Sequence, residues 1–306
     1  MQEGRQLSSS LVTVCLITFN HERFIGKAID SILSQKTNFD FTILIADDYS
    51  TDRTREILAN YQRLLPEKIE LLLQERNVGP GQNWKDLITK PRSPFISYLE
   101  GDDYWTDENK LQNQVDFLQA HPDYTACGHL AYREVGGMVT SQIVGNFPGN
   151  TFTHADFSKG YPAIPSSSLV FRNSGVVHDP FLYSQYGGDR ALLFLLSLQG
   201  PIKVLPFVGS VYRMHQASLE SSYRKSNEKL ALRNIAENYA YFLRIEPQYR
   251  PFMAAKIRWN CFYLAYHFSR QFRLRLALYY FGQTLLYHLF VWRLIRTLPP
   301  QPYITR

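Results

Sequence analysis

The sequence predicts an α/β fold in which a mostly parallel sheet is flanked by helices and followed by a helical C-terminal region. Three observations carry that reading. Short β-branched apolar runs alternate with amphipathic stretches through the first hundred residues. Acidic and small polar residues cluster just after those runs. Beyond about residue 228 the pattern is helical throughout, with aromatics interleaved among arginines. A chain of 306 residues is long enough for one sizeable core with an appendage. Its 45% hydrophobic and 20% charged content excludes a disordered, collagen-like or coiled-coil chain.

The elements follow in order. Leu11 to Thr18 reads as a buried strand, and Ile25, Ala28, Ile29, Ile32 and Leu33 then recur at helical spacing. Phe41 to Ala46 is a second strand, and Thr54, Ile57, Leu58, Tyr61 and Leu64 mark a second helix. Ile69 to Leu73 and Pro94 to Leu99 are further strands, separated by a short helical piece at Trp84 to Ile88. Strand–helix–strand repetition implies right-handed crossovers and ligand binding at the carboxyl ends of the strands. A helix over 109–119 leads into a strand at 124–132, and 134–165 reads as loop with a hairpin. A strand at 167–171, a helix at 190–199 and two strands at 202–205 and 208–212 complete this part. The polar stretch 215–227 suits a mobile loop, and the expected organisation is a sheet-based region 1–227, which would carry any site, and a helical region 228–306.

Charge is divided unevenly. Residues 1–189 hold 16 Lys and Arg against 23 Asp and Glu, a net of −7. Residues 190–306 hold 17 against 4, a net of +13, with no acid after Glu246. An acidic half suits metal ions; a basic aromatic tail suits phosphates or an anionic membrane. The tail's continuous aromatics and aliphatics do not follow nucleic-acid-binding spacing. Three scattered cysteines form neither a disulfide framework nor a zinc motif, and the start of the chain has no apolar leader, so a reducing, cytoplasmic setting is expected.

The chemistry sits at strand ends. The first strand ends in Thr18-Phe19-Asn20-His21, the second in Asp47-Asp48-Tyr49-Ser50-Thr51-Asp52, and the fourth in Glu100-Gly101-Asp102-Asp103. Clustered carboxylates repel one another and are costly unless a cation or donors compensate. One of Ser50, Thr51 and Asp52 is expected to cap the next helix. Three acids within four positions suit Mg²⁺ or Mn²⁺, held by one or two carboxylates and completed by substrate phosphates. Thr18 to Arg23 lacks the glycines of a dinucleotide fingerprint, and no P-loop motif occurs, which disfavours dehydrogenases and P-loop kinases.

Together these residues resemble family 2 glycosyltransferases of the GT-A fold. Val14 to Gln35 is similar to the family's opening, and Asp47 to Thr54 resembles its D-D-G-S-x-D-x-T signature, with Tyr49 at the usual glycine. Arg76-Asn77-Val78-Gly79 resembles the N-x-G segment, and Glu100 to Asp103 the D-x-D-D metal motif, with Glu100 replacing the first Asp. The resemblance implies a GT-A-like Rossmann-type sheet and an inverting, nucleotide-sugar-dependent transferase. Thr18, Asn20, Asp47 and Asp48 would line the nucleotide pocket, with Asp47 facing the base. Glu100 and Asp102 would contact ribose or sugar, and Asp102 or Asp103 would ligate Mn²⁺ or Mg²⁺. Tyr212-Arg213-Met214-His215 resembles the late R-x-H element, implying that His215 joins the metal shell and Arg213 meets phosphate; a surface histidine is the plainer reading.

An inverting transfer needs a general base. Tyr186-Gly187-Gly188-Asp189 before an apolar helix nominates Asp189, the last Asp of the chain, with two glycines allowing close approach to a ligand; an N-cap is the alternative. Ile164-Pro165-Ser166-Ser167-Ser168 reads either as an acceptor-side segment or a plain turn, and Trp105 either as a sugar platform or as core. In the tail, Leu276 to Trp292 is 17 residues without a charged side chain, short of the about 20 a span needs. It suits an interfacial helix flanked by arginines, with packing on a protein surface as the alternative. The expected function is transfer from a UDP-sugar to a glycan or lipid-linked acceptor in bacterial surface-polysaccharide assembly. A sugar-phosphate nucleotidyltransferase is disfavoured by the missing G-x-G-T-R loop, and a degenerate nucleotide- or glycan-binding module is the remaining alternative.

Overall fold

The computed structural model describes residues 10–144, 150–159, 164–183, 188–215, 227–245, 247 and 250–297. The opening alternation forms as expected: β1 (Val12–Thr18), α1 (Ile25–Leu33), β2 (Phe41–Asp47), α2 (Thr54–Leu64), β3 (Ile69–Leu73), α3 (Pro80–Ile88) and β4 (Phe95–Glu100). Strands β3-β2-β1-β4 lie side by side and are all parallel. The physical cause is two-sided burial. Val12, Val14 and Leu16 face one core, where they meet Ile25, Ala28, Ile29 and Ile32 of α1, while Cys15 is buried on the other face. Each such aliphatic side chain withdrawn from water is worth about 1.5–3 kcal/mol. Leu58 of α2 and Leu111, Val115 and Leu118 of α4 (Lys110–Ala120) join the same core.

Beyond β4 the sheet becomes mixed. It continues β9-β6-β10-β5, with β7 beside β6 and β8 beside β10. These are β5 (Tyr104–Trp105), β6 (Ala126–Val135), β7 (Met138–Val144), β8 (Thr151–Phe152), β9 (Val170–Arg172) and β10 (Ile202–Met214). The hairpin of β6 and β7 turns on Gly136-Gly137 within the stretch read as loop. The two strands expected at 202–205 and 208–212 are one strand, β10, whose register against β6 shifts on both sides of Val208. The strand expected at 167–171 is shorter, because Ser166–Ser168 forms a 3₁₀ turn before β9. Strand β5 was not expected. It pairs antiparallel with β10, Ser210 opposite Trp105 and Val211 opposite Tyr104, and so carries Arg213 back to the acids.

The remaining helices are α5 (His154–Lys159), α6 (Gly188–Gln199), α7 (Asn227–Arg244), α8 (Arg250–Arg270) and α9 (Leu274–Thr297). The chain divides into two compact units, Met1–Thr153 with Pro162–His215, and His154–Tyr161 with Gln216–Arg306. That division joins α5 to the C-terminal helices, whereas the sequence reading keeps 1–227 contiguous. In the second unit Lys256 Nζ donates to the Phe157 carbonyl at 2.8 Å, and Ala231, Leu264, Phe268 and Ala277 form a small core.

Candidate active site

The parallel registers place Thr18 opposite Asp47 and Ile17 opposite Glu100, so three loops open from one sheet edge. Strand order reverses at β1, which has β2 on one side and β4 on the other, leaving a crevice between diverging connections.

After β1, Thr18 is buried and its hydroxyl lies 3.2 Å from His21 Nδ1. Asn20 is exposed with φ 54°; its Oδ1 accepts from Thr51 N at 2.8 Å, while its own N–H donates to Ser50 Oγ. After β2, Asp47 is fully buried. Its Oδ2 accepts from Ser50 N at 3.0 Å and from Arg55 Nε at 2.5 Å, and Ser50 Oγ donates to Oδ1. Asp48 Oδ1 accepts from Val78 N at 2.7 Å, tying down the Asn77-Val78-Gly79 loop. Burial raises the Asp48 carboxyl above its usual range, against the lowering effect of the Val78 and Gly79 amides. The N-cap of α2 is Arg53, which makes no side-chain cap bond, while Asp52 Oδ1 accepts from Thr54 N at 2.9 Å beside it.

After β4 the acids separate. Glu100 ends the strand, 3.5 Å from the Tyr98 hydroxyl. Asp102 and His215 are brought together, Oδ2 to Nε2 at 2.8 Å, with side chains 13% and 20% exposed. Burial pushes the Asp102 carboxyl up, but the hydrogen bond to His215 and the fields of His21 and His215 leave it below its usual range. Asp103 points inward instead. Its Oδ1 accepts from Arg213 N at 2.9 Å, and its Oδ2 has no partner among the described residues. Burial, then the charges of Asp102 and Glu100, push its carboxyl well up. Arg213 is committed to the fold: Nε donates to Glu134 Oε1 at 3.0 Å and Nη1 to the Asp102 carbonyl at 2.7 Å. Its guanidinium also lies over the rings of Tyr104 and Phe24, at 4.4 and 5.1 Å.

Asp189 sits in the first turn of α6 and lines a cleft with Trp84, Tyr98, Pro165, Ser166 and Leu192. Tyr98 there is buried, and burial followed by the charges of Glu100, Asp189 and Asp102 raises its phenol well above the usual range. Gly188 packs on the Trp84 ring, so the approach that needs glycine is to an indole. Tyr186 and Gly187, like residues 216–226 of the expected mobile loop 215–227, lie outside the described residues. Trp105 resolves as core: it is buried and donates from Nε1 to the Ser167 carbonyl at 2.8 Å.

Four contributors were not singled out from sequence. His21 lies beside Asp102 and His215, its ring 6.4 Å from that of His215, and burial lowers its pKa. Arg55 pairs with Asp47, Glu134 pairs with Arg213, and Trp84 supports Gly188. His21 stands directly after Asn20 and Arg55 is the second residue of the helix after the acids, so position alone could have flagged both. Glu134 and Trp84 become neighbours of the site only through folding. Among the described residues, no three His, Cys, Asp or Glu side chains converge as a group able to hold a metal ion.

Residues 13–174 match the family described as Glycosyl transferase family 2, and the chain belongs to that family. The protein Rv1520 of Mycobacterium tuberculosis (strain ATCC 25618 / H37Rv) is 38% identical over 210 residues, 67% of this chain and 59% of its own. The chain thus spans about three fifths of that relative's length. Residues 1–349 of Staphylococcus aureus TarS, solved in complex with UDP-GlcNAc, superpose with a TM-score of 0.61 at 15% identity, covering 87% of this chain and 89% of that one. The mannosyltransferase PcManGT from Pyrobaculum calidifontis, solved with GDP-Man and Mn²⁺, gives 0.56 at 14% identity over 94% and 86%. These likenesses show the fold, GT-A.

Proposed function

We propose that this chain transfers a sugar, with inversion, from a nucleotide-diphosphate sugar of UDP type to a hydroxyl of a glycan or lipid-linked acceptor in bacterial surface-polysaccharide or glycolipid assembly. The observation that carries this is the gathering of Thr18, Asn20, Asp47, Asp48, Glu100 and Asp102 at the switch point of the sheet. Family membership supports it, as does the UDP-GlcNAc bound by TarS. Residues 1–227 are the catalytic region on this reading, working in the cytoplasm at the inner face of the membrane.

Asp47 and Asp48 organise the nucleotide pocket rather than remaining open to it, since Ser50, Arg55 and Val78 already occupy their oxygens. The donor set fits a hard divalent cation of modest protein ligation: Asp102 and His215 offer one oxygen and one imidazole nitrogen, and substrate phosphates complete such shells. On this reading Asp102 is the carboxylate ligand in preference to Asp103, whose Oδ1 accepts from Arg213 N, and Arg213 supports the site by anchoring the Asp102 carbonyl. When bound, Mn²⁺ or Mg²⁺ supplies charge stabilisation to the departing diphosphate. Asp189 takes the proton from the acceptor hydroxyl as the new C–O bond forms and the bond to the diphosphate breaks. The aromatic lining of Trp84 and Tyr98 limits water at that carboxylate.

Calorimetric titration of UDP with and without Mn²⁺ tests the reading. The wild type is expected to bind in a metal-dependent way, Asp102→Asn to lose that dependence, and Asp103→Asn to keep it. Asp189→Asn is expected to bind UDP normally and to transfer no sugar. Preference for GDP or dTDP would overturn only the choice of donor. Binding without turnover by the wild type would favour the degenerate binding module, and no nucleotide binding at all would overturn the transferase reading.

A further inference from the structure

We propose that α8 and α9 dock this protein on a membrane surface containing anionic lipid, lying in the interface and not crossing it. The inference is independent of the transfer chemistry. Helix α9 is apolar on its solvent side as well as on its packed side. Ala277 is buried, yet Leu274, Leu278, Phe281, Leu285 and Leu289, which recur at steps of three and four, are each at least half exposed. A helix apolar all round is stable in water only if something covers it. On α8, Trp259, Phe262 and Tyr266 form a second exposed stripe opposite the buried Ile257, Leu264 and Phe268. Arg258 Nη1 lies 2.6 Å from His288 Nδ1, a contact between the two helices.

The turn between the helices supplies the independent observation. Phe272 is 88% exposed and holds φ 57°, the left-handed conformation that closes α8. The Phe272 amide donates to the Ser269 carbonyl and that of Arg273 to Phe268, at 3.1 and 3.0 Å. Such a position favours glycine or asparagine, and a bulky residue there is costly. An exposed aromatic kept at the expense of both backbone and solvation marks a contact. Its neighbours identify the partner. Arg270, Arg273 and Arg275 flank it in the sequence, and the chain from residue 247 onward carries nine Lys or Arg and no Asp or Glu. A basic rim around an apolar wedge, with Trp and Tyr along the stripe, matches the headgroup boundary of an anionic bilayer. No helix among the described residues is long and apolar enough to cross a membrane, which agrees with a helix pair lying on the surface.

The test is flotation of the full chain with vesicles of POPC and POPG at 3:1, against POPC alone, in low and high salt. Binding to the POPG vesicles that weakens with salt is expected. Phe272→Gly is the decisive variant. Its melting temperature should hold or rise, because glycine suits the left-handed turn, while partitioning falls about tenfold. Leu278→Glu/Leu285→Glu should abolish flotation with an unchanged circular dichroism spectrum. Absence of binding to POPG vesicles, or equal binding by Phe272→Gly, would overturn the proposal. So would light scattering that finds a wild-type oligomer which Leu278→Glu/Leu285→Glu dissolves, since a second copy would then be the occupant.

Discussion

Tyr49 holds a left-handed backbone at φ 62°, where the family signature has glycine, and its ring is 4.9 Å from the Arg55 guanidinium that also binds Asp47. A cation–π contact of roughly 0.5–1 kcal/mol offsets part of the cost of a bulky residue in that conformation. Gly101 is the opposite case, a small residue that contact enforces. A methyl group there would lie 2.8 Å from His21 Nδ1 and 2.9 Å from Thr18 Oγ1, inside the contact that joins the β1 and β4 loops. Gly101→Ala is therefore expected to cost about 1–3 kcal/mol in urea denaturation and to weaken UDP binding, because the loops carrying Asn20 and Asp102 must part. Unchanged stability would show that the two loops separate freely. Asp102 and Asp103 look equivalent as letters, yet one meets His215 near solvent and the other an amide in the interior. A turn of one residue in the backbone reverses the direction of a side chain, so neighbouring acids after a strand divide between outside and inside.

At the scale of elements, α6 carries Asp189 and α3 carries Trp84, and Gly188 is where they meet. An added methyl at Gly188 would sit 2.6 Å from the Trp84 ring. On the proposed role of Asp189 as base, Gly188→Ala is expected to lower kcat about tenfold while leaving UDP affinity intact, since a shift of that carboxylate by a fraction of an ångström would affect proton transfer and not donor binding. An equal loss of UDP affinity would contradict the separation of the two functions. Strand β10 does comparable work at the Asp102 side. Its one continuous run places Ser210 and Val211 against β5 and then delivers Arg213 and His215 to Asp102 and Asp103. The paired strand runs expected at 202–205 and 208–212 anticipated its content but not its continuity, because Pro206 and Gly209 punctuate the sequence locally while pairing with β6 carries the strand through.

The whole molecule balances unlike halves and buries polar groups that shape its pH response. His129 is fully buried, with Nδ1 2.9 Å from the Leu130 carbonyl and Nε2 without a partner among the described residues. Burial, aided by the nearby Lys110, holds its pKa down at about 3. A histidine with a depressed folded value takes up its proton first in the unfolded chain. Its contribution is therefore fully present above the unfolded value of about 6.5 and is lost as pH falls from there towards about 3. Denaturation at pH 7, 5.5 and 4.5 is expected to show a loss on the order of a few kcal/mol, with a shallower slope in His129→Gln. Equal slopes in the two proteins would assign the acid lability elsewhere.

The alternation of the first four strands and three helices, and the placing of acids at strand ends, were determined by the sequence alone. Both are local: two-sided burial writes itself as short β-branched runs, and the crevice of a parallel sheet lies where those runs stop. The same holds for the apolar, acid-free tail, whose composition already separated it from the acidic half. What only the tertiary structure decided is which protein partner each of those acids meets. Asp47 is occupied by Arg55, Asp103 by the amide of Arg213 more than a hundred residues away, and Arg213 itself by Glu134. Those partners lie on separate elements, and the pairing of β5, β6 and β10 brings the last two together. A carboxylate's role depends on the donors that reach it, and spacing along the chain carries no record of contacts made by strands that meet only when the sheet is assembled.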